Sequence, residues 1–174
     1  CYNRVLASHG LQTHEVDAYR YFIGNGARNC LLACLRTSGE LSAMSKDKIE
    51  ALLQSQRDDY GANWQKDVEV YSGIRKLIDD LLRHQLSLAV LTNKDHDFAV
   101  ETVNHFFPNK PFKMIQGYSN QIPHKPDPSG AKQIALFTGH DPSEIAIIGD
   151  TSVDIATGQA AGFTTIGALW GFRN

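Results

Sequence analysis

At 174 residues, 42% of them apolar, the chain is long enough to bury a substantial core, and its length suits one domain or a domain carrying a smaller insertion. Its 17 Lys and Arg are scattered among 19 Asp and Glu for a formal charge of −2, so it lacks the concentrated basic face that nucleic acid requires. No apolar run approaches the roughly 20 residues that cross a bilayer and no charged-then-apolar leader is visible, which predicts a soluble protein without nucleic-acid or membrane partners.

In chain order, residues 2–9 read as a helix stopped at Gly10, and a second helix is predicted after Thr13, whose hydroxyl would cap it, ending before the "GNG" of residues 24–26. A third runs over residues 27–36. Within it Cys30 and Cys34 share one face, and with no further Cys or His at ligand spacing they read as core fillers. The odd count of three cysteines fits a reducing, cytoplasmic setting. A fourth helix is predicted over residues 45–59, where Ile49, Leu52, Leu53 and Gln56 recur at helical spacing. These helices form a small bundle over residues 1–65, and "YGANWQKD" (60–67) reads as a linker.

From residue 66 onward strand and helix alternate. A helix with Ile74, Leu77, Ile78, Leu81 and Leu82 on one face leads to the strand "LSLAVLT" (86–92) and then a helix over residues 95–106 capped by Asp95. The histidine in "KDHDF" (94–98) is read as part of that helix start, because three adjacent side chains point in different directions. Strand "FKMIQG" (112–117), a helix over 129–137, strand "EIAIIG" (144–149), a short helix after Asp154 and strand "TTIGAL" (164–169) follow. Alternation of this kind implies an α/β fold with a doubly wound parallel sheet, and nearly unbroken apolar strands agree because they are covered on both faces.

Ligands bind such sheets beyond the carboxyl ends of the strands. There the sequence sets Thr92 and Asn93 after the first strand, Lys125 after the second, and Asp150 and Asp154 after the third. A hydroxyl beside a backbone N–H, an ammonium and two acids can hold a phosphoryl group bridged to a hard divalent cation such as Mg2+. Pro123, Pro126 and Pro128 restrict the backbone around Lys125. Taken singly, Asp150 and Asp154 serve equally well as helix caps, Lys125 as a solvated lysine, and Thr92 as the end of a strand. Their occurrence at successive strand ends on one rim favours a common site.

"LTNK" (91–94), "HKPDP" (124–128) and "GDTSVDI" (149–155), in that order, resemble the second, third and fourth motifs of the haloacid dehalogenase-like hydrolase superfamily. "FIGNGARN" (22–29) and "GALWGF" (167–172) are similar to its phosphoglycolate phosphatase-like subgroup. The likeness covers essentially the whole chain. It implies a Rossmann-like hydrolase core over residues 66–174 with a helical cap over residues 1–65 that closes on the site. It implies an aspartyl-phosphate mechanism in which Thr92 binds the phosphoryl group, Lys125 steadies nucleophile and phosphate, and Asp150 and Asp154 hold magnesium. The helix start at Gly26, with Arg28, would face a small anion such as a carboxylate. Taken singly, Arg28 serves equally well as a solvated helix residue. The substrate implied is a small phosphorylated metabolite, 2-phosphoglycolate first, for a monomer or homodimer.

The family's first motif, Asp-x-Asp-Gly-Thr, which carries the nucleophile, is not found in these residues, so the chain as it stands is not expected to turn over phosphate esters. In the family that motif's strand lies mid-sheet, between the strand ending at Thr92 and the one ending at Asp150. Leaving its place empty would strand unpaired backbone groups at about 1 to 3 kcal/mol each, so something is expected to fill the slot. A sugar-phosphate mutase of the same family, and a catalytically inactive binding module, are the alternatives. A phosphorylation receiver domain is disfavoured by motif order, because its acids come first and its lysine last. A nucleotide-binding Rossmann protein is disfavoured because no glycine-rich phosphate loop follows a strand.

Overall fold

Apolar residues recurring every third or fourth position build the first part of the computed structural model, which describes residues 1–66 and 68–171. The chain divides into two compact units, Cys1–Glu69 and Val70–Asn174. In the first, α1 (Tyr2–Ser8), α2 (Tyr19–Phe22), α3 (Gly26–Thr37) and α4 (Lys46–Asn63) surround a core of Val5, Leu6, Cys30, Leu31, Cys34, Leu35 and Leu52. Cys30 and Cys34 are 1% and 0% exposed, so α3 turns its cysteine face fully inward.

Two expectations fail in this unit. The second helix does not start at Thr13: residues 11–15 are non-helical, a single 3-10 turn spans Val16–Ala18, and α2 has only four residues. The cause is Asn3, whose Nδ2 donates to the His14 carbonyl at 2.7 Å and whose Oδ1 accepts the His14 N–H at 3.0 Å, removing both groups from any helical ladder. The first half of the predicted linker is also helix. α4 is capped by the Ser45 hydroxyl, which accepts from Lys48 N–H, and continues past Asp59 to Asn63, followed by Trp64 at 5% exposure. Gly61 weakens a helix by only about 1 kcal/mol, which the burial of the adjoining Trp64 outweighs. Asp67, the last residue of that stretch, lies outside the described residues.

The second unit runs α5 (Ile74–Arg83), β1 (Leu88–Asp95), α6 (His96–Phe106), β2 (Phe112–Tyr118), α7 (Ser129–Thr138), β3 (Ala146–Gly149), α8 (Ser152–Ala161) and β4 (Thr164–Gly167). β1 and β2 pair in parallel, with Val90 opposite Ile115; β3 and β4 pair in parallel, with Ile148 opposite Ile166. The fold is therefore α/β with parallel strands, as expected. Its strands form two pairs rather than one continuous sheet, and among the described residues no ladder joins β1 to β3.

Buried Ala131, Ala135, Ala161 and Phe163 carry α7 and α8, with Leu91, Ile145 and Ile147 packed against them. Small residues let the layers approach: a Cβ on Gly158 of α8 would lie 2.4 Å from Ile147 Cγ2 and 2.5 Å from Thr165 Cγ2. The opposite face of the β3–β4 pair is open, with Ile148 52% and Ile166 45% exposed. Three local expectations shift. β1 extends three residues beyond Thr92, and Asp95 stands at the N-cap of α6 without a capping side-chain bond. α8 starts at Ser152, so Asp154 lies inside its first turn rather than ahead of it.

Candidate functional site

Lys125 sits in the loop between β2 and α7, and both its backbone and its side chain are tied to neighbouring elements. Asn93, on β1 and 8% exposed, accepts the Lys125 N–H at 2.6 Å and donates to the Lys125 carbonyl at 3.0 Å. The Lys125 ammonium donates to the Leu91 carbonyl at 3.2 Å and to Asp154 Oδ1 at 2.5 Å. Both partners of this ion pair are almost wholly shielded, with side chains 12% and 10% exposed. One lysine thus bridges β1 and the first turn of α8.

Asp154 is positioned by the local sequence "DTSVD". Thr151 is the N-cap of α8, its hydroxyl accepting the Asp154 N–H, while Asp154 Oδ2 accepts the Thr151 N–H at 3.1 Å and its hydroxyl at 2.7 Å. Gly149 is required beside it, because a Cβ there would fall 2.3 Å from both Cβ and Cγ of Asp154. Gly171 does the same for Asp150, where a Cβ would fall 2.2 Å from Asp150 Cβ. Burial opposes ionisation of Asp154. The bond and charge of Lys125, with the Thr151 bonds, outweigh it and hold the carboxyl below the usual carboxylate range.

Of the residues singled out from sequence, Asn93, Lys125 and Asp154 form one bonded network. Thr92 is next to Asn93 on β1, and its hydroxyl accepts the Lys94 N–H at 3.2 Å. Asp150 follows β3 directly and is partly exposed. Gly26 and Arg28 belong to the other unit: Gly26 opens α3 with φ +84°, and Arg28 is ion-paired with Glu50 of α4. Sequence reading missed Thr151 and the two glycines at Asp150 and Asp154, although the Thr-x-x-Asp of a capping box was legible. It also missed His124, which stacks on Tyr118 with centroids 3.7 Å apart and whose burial lowers its pKa against the pull of Asp95. The "GALWGF" stretch is seen as far as Gly171; Phe172 lies outside the described residues.

Among the described residues no three His, Cys, Asp or Glu side chains gather as a metal-ligand set. A hard cation that keeps its waters and takes one or two carboxylates with phosphate oxygens needs no such set. The carboxylates of Asp150 and Asp154 are of the chemistry that such an ion takes. Asp154 Oδ2 accepts two bonds from Thr151 and Oδ1 one from Lys125, which leaves Oδ1 a lone pair for such an ion, directly or through a water.

Parallel strands with a shielded lysine–aspartate pair at their carboxyl ends define an α/β protein with a polar rim. The chain belongs to the haloacid dehalogenase-like hydrolase family, whose sequence model matches residues 1–168. It is 27% identical over 170 residues to phosphoglycolate phosphatase 1 of Pseudomonas aeruginosa, covering 98% of this chain and 62% of that protein. It is 27% identical over 174 residues to the phosphoglycolate phosphatase of Pseudomonas fluorescens, covering 99% and 63%. The chain thus spans less than two thirds of the length of these curated relatives. Among solved structures, a predicted phosphoglycolate phosphatase from Haemophilus somnus superposes with a TM-score of 0.88 at 21% identity, covering 99% of this chain and 77% of that one, which establishes the shared fold.

Proposed function

We propose that the full-length protein is a magnesium-dependent phosphatase of a small phosphorylated metabolite, with 2-phosphoglycolate the leading substrate. The observation that carries this reading is the Asn93–Lys125–Asp154–Thr151 network at the carboxyl ends of β1 and β3. Thr92 and the Asn93 N–H position the phosphoryl group, and the Lys125 ammonium offsets charge on its equatorial oxygens. A nucleophilic aspartate, assigned by family resemblance to a strand between β1 and β3 outside these residues, attacks phosphorus. The ester P–O bond breaks, the leaving oxygen takes up a proton from a second acid, and water then hydrolyses the acyl phosphate. Asp150 and Asp154 would hold magnesium, which would supply neutralisation of charge on the phosphoryl oxygens.

We assign the helical unit to substrate selection, with Gly26 and Arg28 contributing to anion recognition once Arg28 gives up Glu50. Release of inorganic phosphate from 2-phosphoglycolate, measured with Mg2+ and with EDTA, tests the reading. Metal-dependent release supports it. Transfer of the phosphoryl group between positions of a sugar phosphate without release supports the mutase instead, and no activity with either supports a binding module.

A further inference from the structure

We propose that Asn93 is a positioning residue: its side-chain amide fixes the backbone of Lys125 so that the ammonium is aimed at the bound phosphoryl group. The role assigned to the ammonium rests on the phosphatase reading above; the clamp itself stands on geometry. One amide brackets both backbone groups of a single residue, accepting the N–H at 2.6 Å and donating to the carbonyl at 3.0 Å, as a neighbouring strand would. At 8% exposure Asn93 makes these bonds where water competes weakly.

The loop needs an external hold. Pro123, Pro126 and Pro128 flank Lys125 and have no N–H to donate, and a residue followed by proline is kept out of the helical region. A bond from the Asp127 N–H to the His124 carbonyl, 3.1 Å, ties the loop to itself but leaves Lys125 untouched. β1 supplies the remainder. With the Leu91 carbonyl accepting Nζ at 3.2 Å, this strand grips Lys125 at its N–H, its carbonyl and its ammonium, and Asp154 is the fourth contact. The same bracket occurs between Asn3 and His14, where it shapes a loop. At Asn93 the bracketed residue carries the charge, so the test must separate positioning from loop stability.

Asn93→Asp preserves shape and acceptor but loses the donor and sets a carboxylate against the Lys125 carbonyl. In the full-length protein, with p-nitrophenyl phosphate and Mg2+, Asn93→Asp and Asn93→Ala are expected to lower kcat by about tenfold to a hundredfold with KM little changed. In a Lys125→Met background Asn93→Asp is expected to lower kcat no further, because the group it positions is gone. Independently of activity, 15N NMR is expected to show a slowly exchanging Lys125 ammonium, identified by its loss in Lys125→Met, that Asn93→Asp broadens away. Equal losses of kcat in both backgrounds, or an ammonium signal that persists in Asn93→Asp, would overturn the proposal. Should the wild type release no phosphate, the phosphatase reading falls, and the ammonium signal alone decides the clamp: its loss in Asn93→Asp supports it and its persistence refutes it.

Discussion

Replacing Lys125 by Met removes the positive partner of a shielded carboxylate while conserving most of the side-chain volume. At the observed 2.5 Å separation, two unit charges attract by about 7 kcal/mol gross at an effective dielectric constant near 20. Dehydration of the pair cancels much of this in the wild type. In the variant Asp154 retains its Thr151 bonds but not the ammonium, and an unpaired buried charge destabilises by about 3 to 5 kcal/mol. The effect depends on pH with a definite sign. In the wild type the Asp154 pKa is depressed, so its contribution is complete above the ordinary carboxylate value of about 3.9 and is lost as pH falls through the depressed value. In Lys125→Met the carboxyl is buried without its cation and its pKa rises, so the variant's deficit shrinks as acid neutralises Asp154. Urea denaturation at neutral pH and at progressively lower pH should therefore give curves that converge in acid. Adding Asp154→Asn to Lys125→Met should restore about 2 kcal/mol or more at neutral pH, since neighbouring substitutions do not add. A deficit constant from neutral to acid pH, or single-variant losses that simply sum, would refute the reasoning.

Gly158→Ala should destabilise by about 1 to 3 kcal/mol in the same assay despite the better helix propensity of alanine, because the new Cβ meets the Ile147 and Thr165 methyls, which sit on stiff β-branched side chains. Gly149→Ala should displace the Asp154 carboxylate and reduce phosphate release with it, as a phosphate assay would report. Cys30 and Cys34, shielded in the helical unit, should react with a colorimetric thiol reagent at the rate of unfolding; fast labelling of the native protein beyond one thiol, that of the partly exposed Cys1, would contradict their place in the core. Asp150→Asn should weaken magnesium binding more than Thr92→Val, measured by calorimetry, because only the former removes a carboxylate from the ligand set.

Periodicity made the helices and strands legible where burial and pattern coincide. The apolar stripe of α4 and the strand "AIIG" were both read within a few residues of their observed limits. The second helix was not, because a side chain eleven positions away, Asn3, takes the His14 backbone, and no local signal announces a partner that distant. The helix start lies before Asp154 because Thr151, at capping-box spacing from it, is the cap; the pattern offers Asp150 and Asp154 equally as caps or cation ligands, and does not by itself single out the threonine between them. Motif order placed Thr92, Lys125, Asp150 and Asp154 at strand ends. It did not show that Asn93 turns its amide onto Lys125, since the same residue at a strand end serves equally well facing a ligand. Arg28 was read as an anion binder, and its pairing with Glu50 depends on how α3 and α4 pack, which no local pattern specifies.

The proposed phosphatase requires that one phosphoryl group be held by Thr92, Lys125 and Asp150 together. A crystal structure of the full-length protein with Mg2+ and tungstate, a phosphate mimic, measures this directly. The anion is predicted at the carboxyl end of β1, within hydrogen-bonding reach of the Thr92 hydroxyl and the Lys125 ammonium, with the cation on Asp150. Tungstate bound elsewhere, with the Lys125–Asp154 pair undisturbed and no cation at Asp150, would contradict it.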